Sequence, residues 1–134
     1  MNMNRHIVTV TDFESEQLFL GTINYLFKFF KKKPGFIDKL SVGNIVFFKK
    51  KKGEILGQFE VGKIIIIERV ENRDWRLVKE ITGGSETFLS KEKFQELVEK
   101  NSILLIIQID KLEQFITSPI EIDKRSKKGW IVLE

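Results

Sequence analysis

Lysines and aromatic rings are the residues of this chain whose spacing suggests chemistry. Nine lysines and a single acid, Asp38, lie between Lys28 and Lys52. The runs are Lys31, Lys32, Lys33 and Lys49, Lys50, Lys51, Lys52. A patch of this kind attracts a polyanion. Tyr25, Phe27 and Phe29 alternate where this segment begins, on either side of Lys28. A nucleic-acid base stacks on an aromatic ring for about 1–3 kcal/mol while lysines hold the phosphates. The combination suits single-stranded nucleic acid or an extruded base. Two simpler readings stand beside it. Lysines at strand edges and hairpin tips keep a protein soluble and block edge pairing. Alternating aromatics chiefly report burial, so the trio is expected to fill a core.

Other chemistries find little support. His6 is the only histidine and cysteine is absent. A zinc site would need carboxylates around one imidazole, a rare ligand set. A Ser-His-Asp triad would have to use His6, close to the start of the chain. Gly83-Gly84 lacks the spacing and the following Lys-Ser or Lys-Thr of a phosphate loop, and reads as a helix stop. Glu68 and Glu71 carry no pattern that would separate their pKa values. No metal and no cofactor are expected. The longest uncharged runs are too short to span a bilayer, and MNMNRHIVTV lacks the apolar core of a signal peptide. With no cysteine, a reducing cytoplasm is the expected compartment.

The elements that must position these residues follow from periodicity and punctuation. His6–Val10 is rich in β-branched residues and reads as a strand. Thr11 precedes Glu14 by three, the spacing of a capping box, so a helix starts there and stops at Gly21. Phe13, Leu18, Phe19 and Leu20 are its expected buried face. Strands are predicted over Ile23–Phe30, Asn44–Lys49 and Glu54–Val70, with a short helical turn over Phe36–Leu40. The lysine run ending at Gly53 is the tip of a hairpin. Gly57 and Gly62 inside one long strand mark bends, the signature of a sheet curling toward a small barrel. Asn72 is placed to cap a helix through Trp75, Leu77, Val78 and Ile81, ended by Thr82-Gly83-Gly84. Ser90 caps a second helix, with Phe94, Leu97 and Val98 on one face. Ser102–Ile109 is apolar throughout and reads as a strand buried on both faces. GWIVLE is the last strand, and Trp130 stands beside the basic stretch Lys124–Lys128. The predicted order is one strand, a helix, about four strands, two helices, then two or more strands. With 134 residues, 42% of them hydrophobic, the chain fits one α+β domain over 1–134.

These segments resemble the ASCH group of the PUA-like superfamily. That group shows G-x-K-x-x-x-x-R after the first helix, and Gly21-Thr22-Ile23-Asn24-Tyr25-Leu26-Phe27-Lys28 is similar. Val42-Gly43-Asn44-Ile45-Val46-Phe47 resembles its G-D-x-hydrophobic strand, and Gly57-Gln58-Phe59-Glu60-Val61 its G-x-x-x-V/I strand. Thr87–Leu97 looks like its later helix, and PIEI with GWIVL like its closing strands. The resemblance implies a small, curved, mostly antiparallel β-barrel flanked by helices. It also implies a base-accepting cleft between the first helix and the Ile23–Phe30 strand. Asn24, Lys28 and Trp130 are the expected pocket residues, and Lys28 with the two lysine runs the expected phosphate contacts. One branch of the group hydrolyses acylated cytidine with a Lys, a Thr and a Glu. Here its motif lysine falls on Ile23, its accompanying polar position on Leu26 and its arginine on Lys28. Ile and Leu can act as neither base nor nucleophile. The expectation is a module that binds RNA or a modified nucleotide without catalysis. The alternatives are an amidohydrolase with a rearranged site, or a regulatory module that meets a protein partner through apolar surface.

Overall fold

The computed structural model describes residues 4–21, 23–81, 89–116 and 129–133. Strand β1 (Arg5–Val10) leads into helix α1 (Asp12–Leu20). Strands β2 (Tyr25–Phe30), β3 (Ile45–Lys50) and β4 (Ile55–Ile67) follow. Helices α2 (Trp75–Ile81) and α3 (Lys91–Lys100) precede β5 (Ile103–Gln114) and β6 (Trp130–Leu133). Three strands, rather than four, follow α1 among the described residues. The six strands form one sheet in the order β2-β5-β4-β3-β1-β6. Only β1 and β3 run parallel; the other pairings are antiparallel. The expected α+β class holds. The barrel is not closed by backbone pairing: among the described residues no ladder joins β2 to β1 or β6, and the sheet is open.

It is nonetheless strongly curled. Lys28 on edge strand β2 donates from Nζ to the Thr9 carbonyl of β1 at 3.2 Å, although three strands stand between them in the sheet order. The bending is concentrated where β4 meets β3 and β5. The β3–β4 register shifts between Phe48 and Lys49, and the β4–β5 register shifts at Gln58/Glu60 and at Val61/Lys63. Gly57 and Gly62 permit the close approaches there. A Cβ on Gly57 would collide with the Glu113 carbonyl oxygen and lie 2.6 Å from Phe48 Cζ. On Gly62 it would collide with the Asp110 carboxylate. Bulges and missing side chains let a long strand turn without losing its partners.

Local signals set the first helix. Thr11 Oγ1 accepts from the Glu14 N–H at 3.1 Å, and Glu14 Oε1 accepts from the Thr11 N–H at 2.9 Å. Gly21 ends the helix at φ +69°, a conformation L side chains adopt only with strain. Ser90 caps α3 through the Lys93 N–H at 3.1 Å. At α2 the capping differs from expectation: Glu71 and Asp74 form the capping box of a 3-10 turn, Asn72–Asp74, that runs into the helix. The glycines expected to stop α2 lie outside the described residues.

The two faces of the sheet carry separate cores. Inside the curl, Val8, Val10, Leu26, Val46, Phe48, Phe59, Val61, Leu105 and Ile107 pack with Leu18 of α1. On the outer face, Phe27, Leu104 and Ile106 pack against Trp75 and Val78 of α2 and Phe94 of α3. Tyr25 and Phe29 join this outer layer. The aromatic trio is therefore core, but under the helices and not inside the curl, because Leu26, Lys28 and Phe30 take the inward side. Strand β5 is buried on both faces through Ile107, as its composition requires. In α1 only Ser15 and Leu18 are buried; Phe13, Phe19 and Leu20 are exposed, against expectation.

Near the start of β1, aromatic and polar contacts tie β6 to the rest. His6 is fully buried. Its Nδ1 accepts from Trp130 Nε1–H at 3.0 Å, so Nε2 carries the proton and donates to Asn44 Oδ1 at 3.0 Å. Trp130 stacks on Phe36 at 4.3 Å and 6°, and Phe36 meets Phe30 of β2 edge-on at 5.7 Å. Burial lowers the His6 pKa below its ordinary value, offset in part by hydrogen bonds to Asn44 and the Lys39 backbone.

Two outcomes follow. Gly57→Ala forces backbone apart from backbone and lowers the unfolding free energy by about 1–3 kcal/mol, measured by urea denaturation. A depressed imidazole pKa means the unfolded chain binds the proton first. Stability is then full above about pH 6.5 and falls as pH drops through the lower folded value. Urea midpoints for the native chain and for His6→Gln, taken between about pH 7.5 and 5.5, check this; the slope should vanish in the variant.

Candidate functional site

Helix α1 lies across the end of the sheet where β1 and β3 finish, and its sides bind different strands. On one flank Glu14 Oε1 is 3.7 Å from Lys28 Nζ of β2, both side chains largely covered. On the other flank Asp12 Oδ1 is 3.4 Å from Lys50 Nζ at the β3–β4 tip, and Phe19 packs against Phe48 at 6.0 Å. Leu18 points down into the inner core. The helix thus sits between β2 and the tip like a plug.

Beside it, Thr9, Val10, Thr11, Asp12, Lys50 and Lys51 line an open depression of about 390 Å³. Its wall is mixed in charge, with two lysines facing one aspartate. The Asp12–Lys50 pair is solvent-exposed, with side chains 89% and 47% accessible, so it holds the ammonium weakly. Lys51 and Lys52 are exposed and make no ion pair among the described residues. A second depression of about 340 Å³ lies over β4 and β5, lined by Ile45, Gln58, Glu60, Lys111, Leu112 and Glu113. It is net acidic and holds the 3.3 Å Lys111–Glu60 pair.

The sequence-predicted residues separate into three groups. Lys50, Lys51 and Lys52 gather at the tip beside α1. Lys31, Lys32 and Lys33 do not join them. They follow the end of β2, which runs antiparallel to β3 through the chain of pairings, so they leave the opposite end of the sheet. All three are exposed, and Lys33 pairs with Asp38 at 3.5 Å. Lys49, also expected to hold phosphate, is instead 1% exposed. It is the neighbour of Phe48 on a strand with both faces covered, and the solvent begins only at Lys50.

The expected pocket trio also divides. Lys28 is 22% accessible and already engaged by Glu14 and the Thr9 carbonyl. It closes the gap between β2 and β1, a place where no backbone ladder forms. Asn24 is exposed four residues earlier, about 13 Å along an extended chain. Trp130 is half-buried and held by His6 and Phe36. The positions carrying the resemblance to catalytic residues, Ile23 and Leu26, are 3% and 0% exposed and belong to the inner core. Among the described residues, no three His, Asp or Glu side chains cluster as metal ligands. Among the described residues, no helix is long and apolar enough to cross a membrane.

Sequence reasoning missed Asp12, Glu14 and Thr9 as members of this end of the molecule. Thr11 and Glu14 did carry a signal, the capping box, but it speaks of helix geometry and not of what the same carboxylate meets across the sheet.

A scan against protein-family models finds no match to this sequence, and a search of curated proteins finds none either. Solved structures do match. A crystal structure of a serine-to-alanine variant of the ASCH protein from Zymomonas mobilis aligns with a TM-score of 0.68 at 11% identity, covering 99% of this chain and 90% of that one. A tyrosine-to-phenylalanine variant of the same protein aligns at 0.65 and 11% identity, covering 97% and 90%. A crystal structure of the ASCH protein from Zymomonas mobilis also aligns at 0.58 and 11% identity, covering 82% and 69%. The likeness in fold spans nearly the whole chain while the residues have diverged. On this geometry the chain has an ASCH-type fold.

Proposed function

We propose that the protein is a cytoplasmic, single-domain PUA-like module that binds single-stranded RNA or a modified nucleotide without chemistry. The site is the α1 end of the sheet. One observation carries the reading: the β3–β4 tip presents Lys50, Lys51 and Lys52 beside an open depression floored by Thr9–Thr11. An ASCH-type fold is compatible with RNA binding or with a related hydrolase activity. The buried apolar residues Ile23 and Leu26 favour binding, since neither can move a proton. The lysines at the far end, Lys31 to Lys33, lie outside this site.

A second reading has its own support. Lys28, Glu14 and Thr11 stand together at this end, a Lys-Thr-Glu set supplied by other sequence positions than the resemblance implies. A rearranged amidohydrolase site is the alternative they would serve. Incubation with acylated cytidine separates the two: release of the acyl group, lost in Lys28→Met, would replace the binding reading.

Binding to a fluorescent single-stranded RNA, followed by anisotropy, tests the first reading. If about three phosphates are neutralised, the log–log salt slope is about −2, and affinity falls roughly 20-fold between about 50 and 200 mM salt. Lys50→Glu/Lys51→Glu/Lys52→Glu weakens binding by about tenfold or more. Lys31→Glu/Lys32→Glu/Lys33→Glu, at the opposite end, changes it by less than about threefold. No binding at low salt would end the proposal.

A further inference from the structure

The outward face of α1 is apolar where a surface helix is normally polar. Successive side chains on a helix are about 100° apart. Ser15 and Leu18 mark the buried side. Phe13 and Leu20, two turns apart, fall on one line nearly opposite Leu18, and are 46% and 65% exposed. Single exposed apolar residues are ordinary; two on one line with a carboxylate between them form a small built surface. That carboxylate is Glu16, exposed and without an ion pair among the described residues. The neighbouring acids differ from it: Asp12 is taken by Lys50 and Glu14 by Lys28.

The direction of this surface follows from the same geometry. The line carrying Asp12 and Phe19 faces the β3–β4 tip, because Asp12 meets Lys50 and Phe19 meets Phe48. Glu16 lies about 40–60° further round, and Phe13 and Leu20 about 80–120°. The apolar line is therefore the outer ridge of the helix, about as far round from the tip as from the Glu14–Lys28 flank, and Glu16 stands on its tip side. A ligand crossing it meets an aromatic face, then a free carboxylate, then cationic side chains. A phosphodiester strand with unpaired bases offers the complementary order.

We infer that α1 reads bases: an unpaired base stacks on Phe13, its exocyclic amine donates to Glu16, and Lys50–Lys52 hold the flanking phosphates. The inference deepens the RNA-binding reading and rests on it. Stacking accepts any base, because every base has a π-face. A carboxylate accepts only, so it favours cytosine, adenine and guanine, which present an exocyclic amine, over uracil, whose one base donor, N3–H, is flanked by two carbonyl oxygens that repel a carboxylate.

The test uses the full chain with oligo(C), oligo(A) and oligo(U) at fixed salt. Phe13→Ala should weaken oligo(C) binding about 5- to 150-fold and leave the salt slope unchanged. Phe13→Trp should restore affinity, with its added fluorescence quenched by the stacked base. Glu16→Ala should remove the preference for oligo(C) over oligo(U). Phe13 and Glu16 are exposed, and circular dichroism checks that each variant is folded. If the tip triple variant loses binding while Phe13→Ala does not, the strand is held by charge alone and the inference is overturned, with the RNA reading intact. If no oligonucleotide binds the native chain, both fall. If Phe13→Ala/Leu20→Ala abolishes binding to vesicles of phosphatidylglycerol and phosphatidylcholine but leaves RNA affinity unchanged, the face serves a lipid surface and the inference is wrong.

Discussion

Two glycines on β4, one where no side chain fits and one crowded by a movable carboxylate, mark the bends that shape the rest of this molecule. At Gly57 the chain passes against the backbone of Glu113 and the ring of Phe48; at Gly62 it passes against Asp110. These contacts coincide with register shifts on both sides of the strand. A strand so bent carries its neighbours with it. It turns β5 and β2 round until β2 faces β1, at a separation that a lysine side chain can span. The inner core, the seam and the seat of α1 all depend on that turn.

The seam is closed by side chains instead of a ladder. At one end Lys28 reaches the Thr9 carbonyl and Glu14. At the other Phe30, Phe36 and Trp130 lie ring against ring, ending on His6. A neutral, tautomerically fixed imidazole is needed there, since a proton on Nδ1 would set two donors against each other. The half-buried Lys28–Glu14 pair sets a strand against a helix, and removing one partner would leave the other charge poorly solvated. These contacts explain why residues that look chemically available in the sequence are occupied in the structure. Among the described residues, the basic tip, the outer face of α1, Asn24 and the distant Lys31 to Lys33 stay accessible.

Much of the fold was legible because its signals are local. The capping box at Thr11 and Glu14, the left-handed Gly21, the Ser90 cap and the apolar run of β5 each act within a few residues. The bends at Gly57 and Gly62 were legible as well, since a glycine inside a long strand has few other uses. The closed barrel was not reached, because closure depends on whether two distant edges pair. The buried face of α1 was misread for a related reason. Its apolar residues lie on more than one side, and periodicity cannot say which side meets the sheet. The Tyr25, Phe27, Phe29 face was correctly taken as buried, yet which of two cores it enters is set by where α2 and α3 land.

By itself the sequence determined the elements, their caps, the positions of the bends and the presence of a cationic segment. These are properties of short stretches, governed by backbone sterics, hydrogen bonding and side-chain period. Only the tertiary structure decided what the cations do. Because β2 and β3 run in opposite directions, one lysine-rich stretch of chain was divided between two ends of the sheet. The same packing buried Lys49, tied Lys28 to a carboxylate and left Lys50 to Lys52 in the open. Electrostatic attraction acts across space and falls off within a Debye length of about 10 Å, so nearness along the chain does not make a binding patch.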